Sequence, residues 1–211
     1  MIHELRTYTF HPGKVPAYLD LAANVGRPVR GNDYGTNHGY WVSEFGQLNQ
    51  LWHLWSYPSL DERARLRAAL AANERWRTEY VPKIVPLMIR QDVRFLNPVI
   101  DIKPPDGAGH FYELRIYRTH PGAARAYAQL LASYLPARER YSPIVGLWTG
   151  EAPQPNEVAH LWAYPDLNSR MKARAEASGD AKWKEFLAKG SPMLAEMQST
   201  LLLGTAFSPM K

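Results

Sequence analysis

Residues 53–65 read HLWSYPSLDERAR, and residues 160–172 read HLWAYPDLNSRMK. A His-Leu-Trp run, a Tyr-Pro pair and a polar segment therefore occur twice, in the same order, in a chain of 211 residues. The match continues upstream, where HELRTYTFHPG at 3–13 corresponds to YELRIYRTHPG at 112–122. Self-similarity over so long a stretch is typical of a duplicated structural unit.

The two copies meet in a segment that is rich in proline and glycine. This segment, DIKPPDGAGH at 101–110, has the composition of a domain linker. We therefore predict one unit at 1–100, the linker at 101–110 and a second unit at 111–211.

Hydrophobic periodicity predicts the order of elements within one copy. Strands are expected at 2–10, 37–45, 49–57 and 87–96, with a helix at 14–24 and a second helix that starts after Ser59. Ser59 and Glu62 have the spacing of a capping box, in which each side chain bonds the other residue's backbone N–H. The order βαββαβ is that of the ferredoxin-like unit, whose sheet carries helices on one face only. Two copies can cover each other's open face, which explains the duplication.

Composition narrows the protein class. The chain has a net charge of +5 and no cysteine, and it contains neither an apolar run of membrane-spanning length nor a secretory signal. We therefore expect a cytoplasmic protein with no membrane span. The arginines of the second helix are mixed with acidic residues, which is typical of a solvated helix face, so no nucleic-acid partner is expected. Homo-oligomerisation is compatible with the sequence, but no feature encodes it.

The ordered motifs E-L-R-x-Y, G-Y-W-x-S-E and H-L-W-x-Y-x-S-L-x-E-R-A-R resemble those of the NIPSNAP family, closely in the first copy and more loosely in the second. The family is similar to the dimeric α/β-barrel superfamily, which includes cofactor-free monooxygenases, haem proteins and small-molecule isomerases. The resemblance implies an α+β fold in which two tandem ferredoxin-like units form one dimeric-α/β-barrel-type fold within the chain. It implies much less about function, since one fold supports many reactions.

Alternation along the strands places the chemically useful side chains on one face. The predicted group consists of Glu4, Arg6 and Tyr8 on the first strand and His53, Trp55 and Tyr57 on the third, with His160 as the copy of His53. One interpretation is a pocket in which His53 is an acid or base, Arg6 binds an anion or carbonyl, and the aromatic rings hold an apolar substrate. The alternative is a buried ion pair with a structural histidine, and the faithful duplication favours that role.

The places where the copies differ are more informative about function. Asn37 and His38 stand where the second copy has Ile144 and Val145, which predicts either a polar site in the first unit or an exposed strand end. Residues 26–36 are predicted to form a loop that could act as a lid over this site, with Tyr34 as its aromatic anchor. We assign His53, His38, Arg6 and Tyr34 as candidate catalytic residues. The candidate substrate-binding residues are Glu4, Tyr8, Asn37, Trp55, Tyr57 and His160.

The sequence lacks the motifs of cofactor and metal sites. It has no Gly-rich phosphate loop, no pair of histidines at helical spacing and no helical histidine to bind haem, so we expect no metal and no cofactor. The predicted function is a cofactor-independent enzyme that carries out proton transfer or oxygenation on an apolar or aromatic metabolite in a pocket of the first unit. The alternative is a non-catalytic binding or protein-interaction module.

Overall fold

A computed structural model describes all residues, 1–211. Contacts divide the chain into two compact units, the first consisting of Met1–Phe95 with Gly204–Lys211 and the second of Leu96–Leu203. The C-terminal tail belongs to the first unit because its backbone and side chains pair with strand residue Tyr40. The N–H of Tyr40 donates to the Ser208 Oγ (2.9 Å), and the Thr205 N–H donates to the Tyr40 carbonyl (3.0 Å). The repeat boundaries at 1–100 and 111–211 stay a prediction.

The first unit follows the predicted order of elements. Its elements are β1 (Ile2–Phe10), α1 (Val15–Leu21), a π-helical turn (Ala22–Gly26), α2 (Arg27–Arg30), β2 (Thr36–Phe45), β3 (Gln50–Tyr57), α3 (Leu60–Ala72), a second π-helical turn (Trp76–Tyr80), α4 (Val81–Ile84), a 3₁₀ turn (Val85–Leu87) and β4 (Met88–Pro98). The strands lie in the order β4-β1-β3-β2, as in a ferredoxin-like sheet.

The second unit repeats this arrangement. Its elements are β5 (Phe111–Thr119), α5 (Ala124–Arg138), β6 (Ile144–Ala152), β7 (Glu157–Tyr164), α6 (Leu167–Gly179), α7 (Ala181–Gly190), a 3₁₀ turn (Ser191–Met193) and β8 (Leu194–Gly204). The strand order β8-β5-β7-β6 is the counterpart of the order in the first unit. The predicted fold class, α+β with two tandem ferredoxin-like units of the dimeric α/β-barrel type, is confirmed.

The first helical segment is longer than the sequence pattern indicates. The sequence analysis predicted a loop over 26–36, whereas the backbone stays helical through Arg30. Proline lacks an N–H and its ring clashes with the carbonyl one turn earlier, but the wider π-helical turn that precedes it relieves both constraints. Gly26 has room only for a hydrogen, because a Cβ there would lie 2.6 Å from the ring of Tyr80. The correction matters because it places Arg30 on a helix that covers the sheet.

The predicted helix caps are partly confirmed. The Ser59 Oγ accepts from the Glu62 N–H (3.1 Å), as a cap requires, and Asp166 does the same for Ser169 (2.7 Å). The reciprocal half of the capping box does not form, since the Glu62 carboxylate pairs with Arg65 (2.6 Å) instead. The helix therefore begins where predicted, with a single side-chain cap.

Candidate functional site

The strand registers of the first unit bring the predicted residues into one row under the helices. Arg6 lies opposite His53 across β1 and β3, and His53 lies opposite Tyr40 across β3 and β2. The ring of Tyr40 stacks on the imidazole of His53, with centroids 4.8 Å apart, and Tyr8 meets the same ring edge-on at 4.7 Å. Three strands thus contribute to one polar cluster with aromatic walls.

Glu4 is the central anion of this cluster and is fully buried. Arg6 Nη1 donates to its carboxylate (3.0 Å), and Arg63, from helix α3, makes a second ion pair with it. Burial alone would raise the pKa of Glu4, but Arg6 and Arg63 outweigh burial and lower it. Glu4 is therefore an ionised counter-charge, and its lone pairs are occupied by the two arginines.

His53 is a neutral imidazole with a defined tautomer. The indole N–H of Trp55 donates to His53 Nδ1 (2.7 Å), so Nδ1 carries no proton and Nε2 carries one. Burial and the charges of Arg6 and Arg30 hold the pKa of His53 well below its ordinary value. His53 Nε2 is buried and has no hydrogen-bond partner in the structure. A ligand oxygen placed beside Nε2 would satisfy it.

Arg30, at the end of α2, is a member of the cluster that the sequence hypothesis missed. It is 2% exposed, it donates to the hydroxyl of Tyr57 (2.9 Å), and its guanidinium lies 3.2 Å from the ring centroid of Trp55. Its Nε has no partner. Burying a cation among neutral groups costs free energy of folding, because the lost hydration is not replaced by an ion pair. The burial of Arg30 therefore indicates a role beyond packing.

Helix α3 contributes two inward-facing arginines, Arg63 and Arg67, which the sequence hypothesis placed on a solvated face. Arg63 pairs with Glu4, and burial lowers the pKa of Arg67, with Arg6 and Arg30 as further causes. Only part of the helix matches the expectation, since Arg65 is exposed. Comparison of the two copies distinguishes the inward-facing arginines from the exposed one. Arg63 and Arg67 have arginine counterparts in the second copy, whereas Lys172 stands in the place of Arg65.

The second unit builds the same cluster from equivalent positions. Arg115 lies opposite His160, which in turn lies opposite Leu147. The Trp162 indole donates to His160 Nδ1 (2.6 Å), and His160 Nε2 is again buried without a partner. Burial, followed by the charge of Arg115, lowers the pKa of His160 to about 3. Leu147 replaces the stacked Tyr40 of the first unit.

Glu113 is the buried anion of the second cluster, and several donors hold it. Its carboxylate accepts from Arg115 (2.8 Å), Arg170 (2.8 and 3.0 Å) and Ser199 (2.7 Å). Burial would raise its pKa, but Arg170 and Arg115 dominate and lower it to about 2. Glu113, like Glu4, is therefore a permanent anion that is poorly suited to accept a proton.

A cavity of about 220 Å³ lies between the sheet and the helices of the second unit. Its wall combines the aromatic rings of Trp183 and Phe186 with the cations Arg115 and Arg138 and the neutral imidazole of His160. Leu187 and Met197, which also line it, are 40% and 60% exposed. The cavity therefore has a charged interior and an apolar rim.

Three predicted site residues lie away from the cluster of the first unit. Tyr34 accepts from Asn73 (3.3 Å), just as Tyr141 bonds Asp180 (3.0 Å) in the second unit, so both tyrosines tie a loop to a helix cap. The Asn37 side chain donates to the Leu54 carbonyl (3.2 Å) at a β-bulge. His38 also lies outside the cluster of the first unit.

His38 joins a separate polar cluster. Its Nε2 lies 2.8 Å from the Ser56 Oγ, and its ring lies 5.6 Å from that of His3. His3 and Ser56 alternate with the residues of the Arg6 and His53 row and so lie on the other face of the strands. The structure thus separates His38 from His53.

Comparison with known proteins assigns the family. The sequence model of the NIPSNAP family matches residues 3–101 and again residues 112–209. The chain belongs to the NIPSNAP family. Both matches include the Glu, Arg and His positions of the two clusters, so the duplicated sites lie within the NIPSNAP repeats.

Curated and solved relatives agree with this assignment. Human protein NipSnap homolog 3B is 27% identical over 99% of this chain and 85% of that protein. Two solved proteins named as candidate monooxygenases share the fold. The one from Fusobacterium nucleatum has a TM-score of 0.72, 12% identity and coverage of 96% of this chain and 91% of its own. The one from Lactobacillus acidophilus has a TM-score of 0.69, 14% identity and coverage of 96% and 93%. No helix of this NIPSNAP protein is long and apolar enough to cross a membrane.

Proposed function

We propose that this NIPSNAP protein is a cofactor-independent enzyme that binds an apolar or aromatic metabolite under the helices and catalyses proton transfer or oxygenation. The observation that carries the proposal is the cavity of the second unit, which combines aromatic rings with a buried, unpartnered His160 Nε2. Ligand sites of this kind are concave and mostly apolar, with a few convergent polar groups that orient the ligand. The equivalent residues Arg6 and His53 supply the same chemistry in the first unit.

The tautomer of the histidines determines what role each can take. A neutral imidazole that already carries a proton on Nε2 cannot accept another proton there, so neither His53 nor His160 acts as a general base through Nε2. Each can instead donate a hydrogen bond to a carbonyl or to an oxyanion that develops during the reaction. The neighbouring arginines stabilise the same negative charge, which lowers the pKa of a substrate hydroxyl or an activated C–H.

Stabilisation of a substrate anion suits both proposed reactions. Loss of a proton to solvent begins an isomerisation, and an electron-rich aromatic anion is the species that reacts with oxygen without a cofactor. The two proteins of the same fold are named as candidate monooxygenases, which is why oxygenation stands beside proton transfer. The first test is a thermal-shift and calorimetric screen of phenols, quinols and aromatic acids. It is followed by oxygen consumption and by NMR detection of deuterium entering the substrate in D₂O.

Variants of His160 test whether the compounds found in the screen bind in the cavity of the second unit. His160→Leu removes the Nε2 donor and should weaken binding and abolish turnover, whereas His160→Gln keeps an N–H donor at nearly the same place and should retain part of both. The matched control is His120→Leu, because His120 lies outside the cavity lining. Ligand binding and turnover that survive unchanged in His160→Leu would contradict the proposal for the second unit.

A non-catalytic binding protein is the second candidate, and a specific observation favours it. The only carboxylate that lines the cavity, Glu113, is occupied by arginines and has a pKa near 2, so no carboxylate base faces the ligand. If the protein only binds its ligand, compounds from the screen should bind, but neither deuterium exchange nor oxygen consumption should exceed that of the protein-free control. The same experiments therefore separate the two functions.

A further inference from the structure

The cavity of the second unit contains a buried guanidinium with no anionic partner. Arg138, the last residue of α5, is 4% exposed. It donates to the hydroxyls of Ser142 (2.7 Å) and Tyr164 (3.4 Å), and neither group carries a charge that offsets its own. Its guanidinium lies 4.7 Å from the ring centroid of Trp162 and 5.6 Å from that of Trp183.

The other charges near Arg138 make the imbalance larger. Arg115 and Arg174 line the same cavity, and the one carboxylate there, Glu113, is shared by Arg115, Arg170 and, at 3.8 Å, Arg174. Burial lowers the pKa of Arg138, and Arg174 and Arg115 add to this effect. A buried ion is normally paired, since the cost of desolvating it is otherwise not recovered. An anion in the cavity would pair with Arg138.

The first unit repeats the arrangement. Arg30 is buried, bonds the hydroxyl of Tyr57 and lies against Trp55, as Arg138 does with Tyr164 and Trp162. Both arginines end a Pro-x-Arg sequence, RPVR at 27–30 and LPAR at 135–138. Each of the two buried cations thus has hydroxyl and aromatic neighbours and no ion-pair partner.

We propose that the ligand of the second-unit cavity is a hydrophobic carboxylate, with its carboxylate on Arg138 and its apolar body toward Leu187 and Met197. The inference rests on the proposed function, because it names the substrate class of the same site. A planar carboxylate matches the fork of a guanidinium, and the neutral His160 Nε2–H supplies a further donor to an oxygen of the ligand. The apolar rings of Trp183 and Phe186 contact the body of the ligand, and the exposed apolar rim admits it. The small volume limits that body to about two fused rings.

The test compares a matched pair of ligands by isothermal titration calorimetry. 2-Naphthoate and 2-naphthamide have nearly the same shape, but only the first carries a charge. The wild-type protein should bind the acid roughly tenfold or more tightly than the amide, as expected for a charge-assisted pair in a buried site. Arg138→Gln should reduce that ratio to near one, Arg138→Lys should keep part of it, and Arg125→Gln, an exposed change of equal charge on the same helix, should leave it intact.

A structural role for Arg138 predicts a different pattern. If Arg138 only held the fold, Arg138→Gln would lower the melting temperature and weaken acid and amide alike. The ratio of acid to amide affinity decides between the two roles, because losing the contacts with Ser142, Tyr164 and Trp162 lowers the melting temperature of Arg138→Gln in either case. Equal affinity of the wild-type protein for acid and amide overturns the carboxylate assignment and leaves the proposed function standing. Failure of both compounds to bind overturns the assignment and counts against the proposed function as well.

Discussion

Glu113 illustrates how a single buried charge organises the second cluster. Because its carboxylate accepts from Arg115, Arg170 and Ser199, replacing it by glutamine leaves those arginines without their anion. Breaking a buried ion pair from one side costs about 3–5 kcal/mol of unfolding free energy. We expect a loss of this size for Glu113→Gln in chemical denaturation at pH 7.

The matched control is Glu176→Gln on helix α6. Glu176 is half exposed and lies 3.9 Å from Lys172, an arrangement that contributes less than about 1 kcal/mol. A loss for Glu113→Gln as small as that of the control would show that the arginines do not depend on this carboxylate.

The second prediction concerns the histidines of the two clusters, His53 and His160. The indole N–H groups of Trp55 and Trp162 fix the proton of each imidazole on Nε2. Nitrogen-detected NMR should therefore show two neutral Nε2–H imidazoles between pH 5 and 8, with no titration. In Trp162→Phe the His160 tautomer should become mixed, while His53 keeps its own. An imidazolium signal from either residue at pH 5 in the wild-type protein would contradict this assignment.

At the scale of the element, the repeated Gly-x-Trp of β2 and β6 has a steric cause. A Cβ on Gly39 would lie 2.1 Å from the ring of Trp41, and a Cβ on Gly146 would lie 2.2 Å from that of Trp148. Each indole covers the glycine two residues before it, on the same face of the strand. Gly146→Ala should therefore destabilise the protein by about 1–3 kcal/mol, the usual cost of overpacking.

Denaturant titration measures this loss, and Gly179→Ala is the control because a Cβ at Gly179 meets nothing within 4 Å. Equal stability of Gly146→Ala and the control would mean that the tryptophan moves aside freely. The glycine would then not be required by the packing of the strand.

The elements themselves were largely predictable from the sequence. Strand alternation placed Arg6 and His53 on one face, and the register confirms that they are opposite each other. The arginines were less predictable, because helical spacing alone does not tell a buried cation from a solvated one. Arg30 was missed for another reason, since the helix was predicted to end at residue 24 and Arg30 was assigned to a loop at 26–36. Recurrence of arginine at 63 and 170, and at 67 and 174, was the available signal.

At the scale of the whole molecule, the two buried histidines of the duplicated clusters both make folding stability fall at acid pH, and their effects add. His160 has a folded-state pKa of about 3, far below the ordinary 6.5, and the pKa of His53 is lowered in the same direction. Below pH 6.5 the unfolded chain takes up protons that the folded chain refuses, so stability falls with pH by up to about 1.4 kcal/mol per unit for each histidine. Denaturant titrations at pH 7, 6 and 5 should show this decline.

The variant His160→Leu shows how much of the loss of stability at acid pH comes from the histidine and how much from the carboxylates. It should reduce the decline between pH 6.5 and 5, whereas Glu113, with its pKa depressed from 4.5 to about 2, loses its stabilising contribution progressively as the pH falls from about 4.5 to about 2. A wild-type protein with constant stability between pH 7 and 5 would contradict the buried neutral histidines.

A crystal structure of the complex with 2-naphthoate would show whether the Arg138 and His160 cavity of the second unit is a ligand site. We expect the carboxylate within hydrogen-bond distance of the Arg138 guanidinium and of His160 Nε2, with the naphthalene ring toward Leu187 and Met197. Naphthoate bound elsewhere on a saturated protein, with this cavity empty, would contradict the claim.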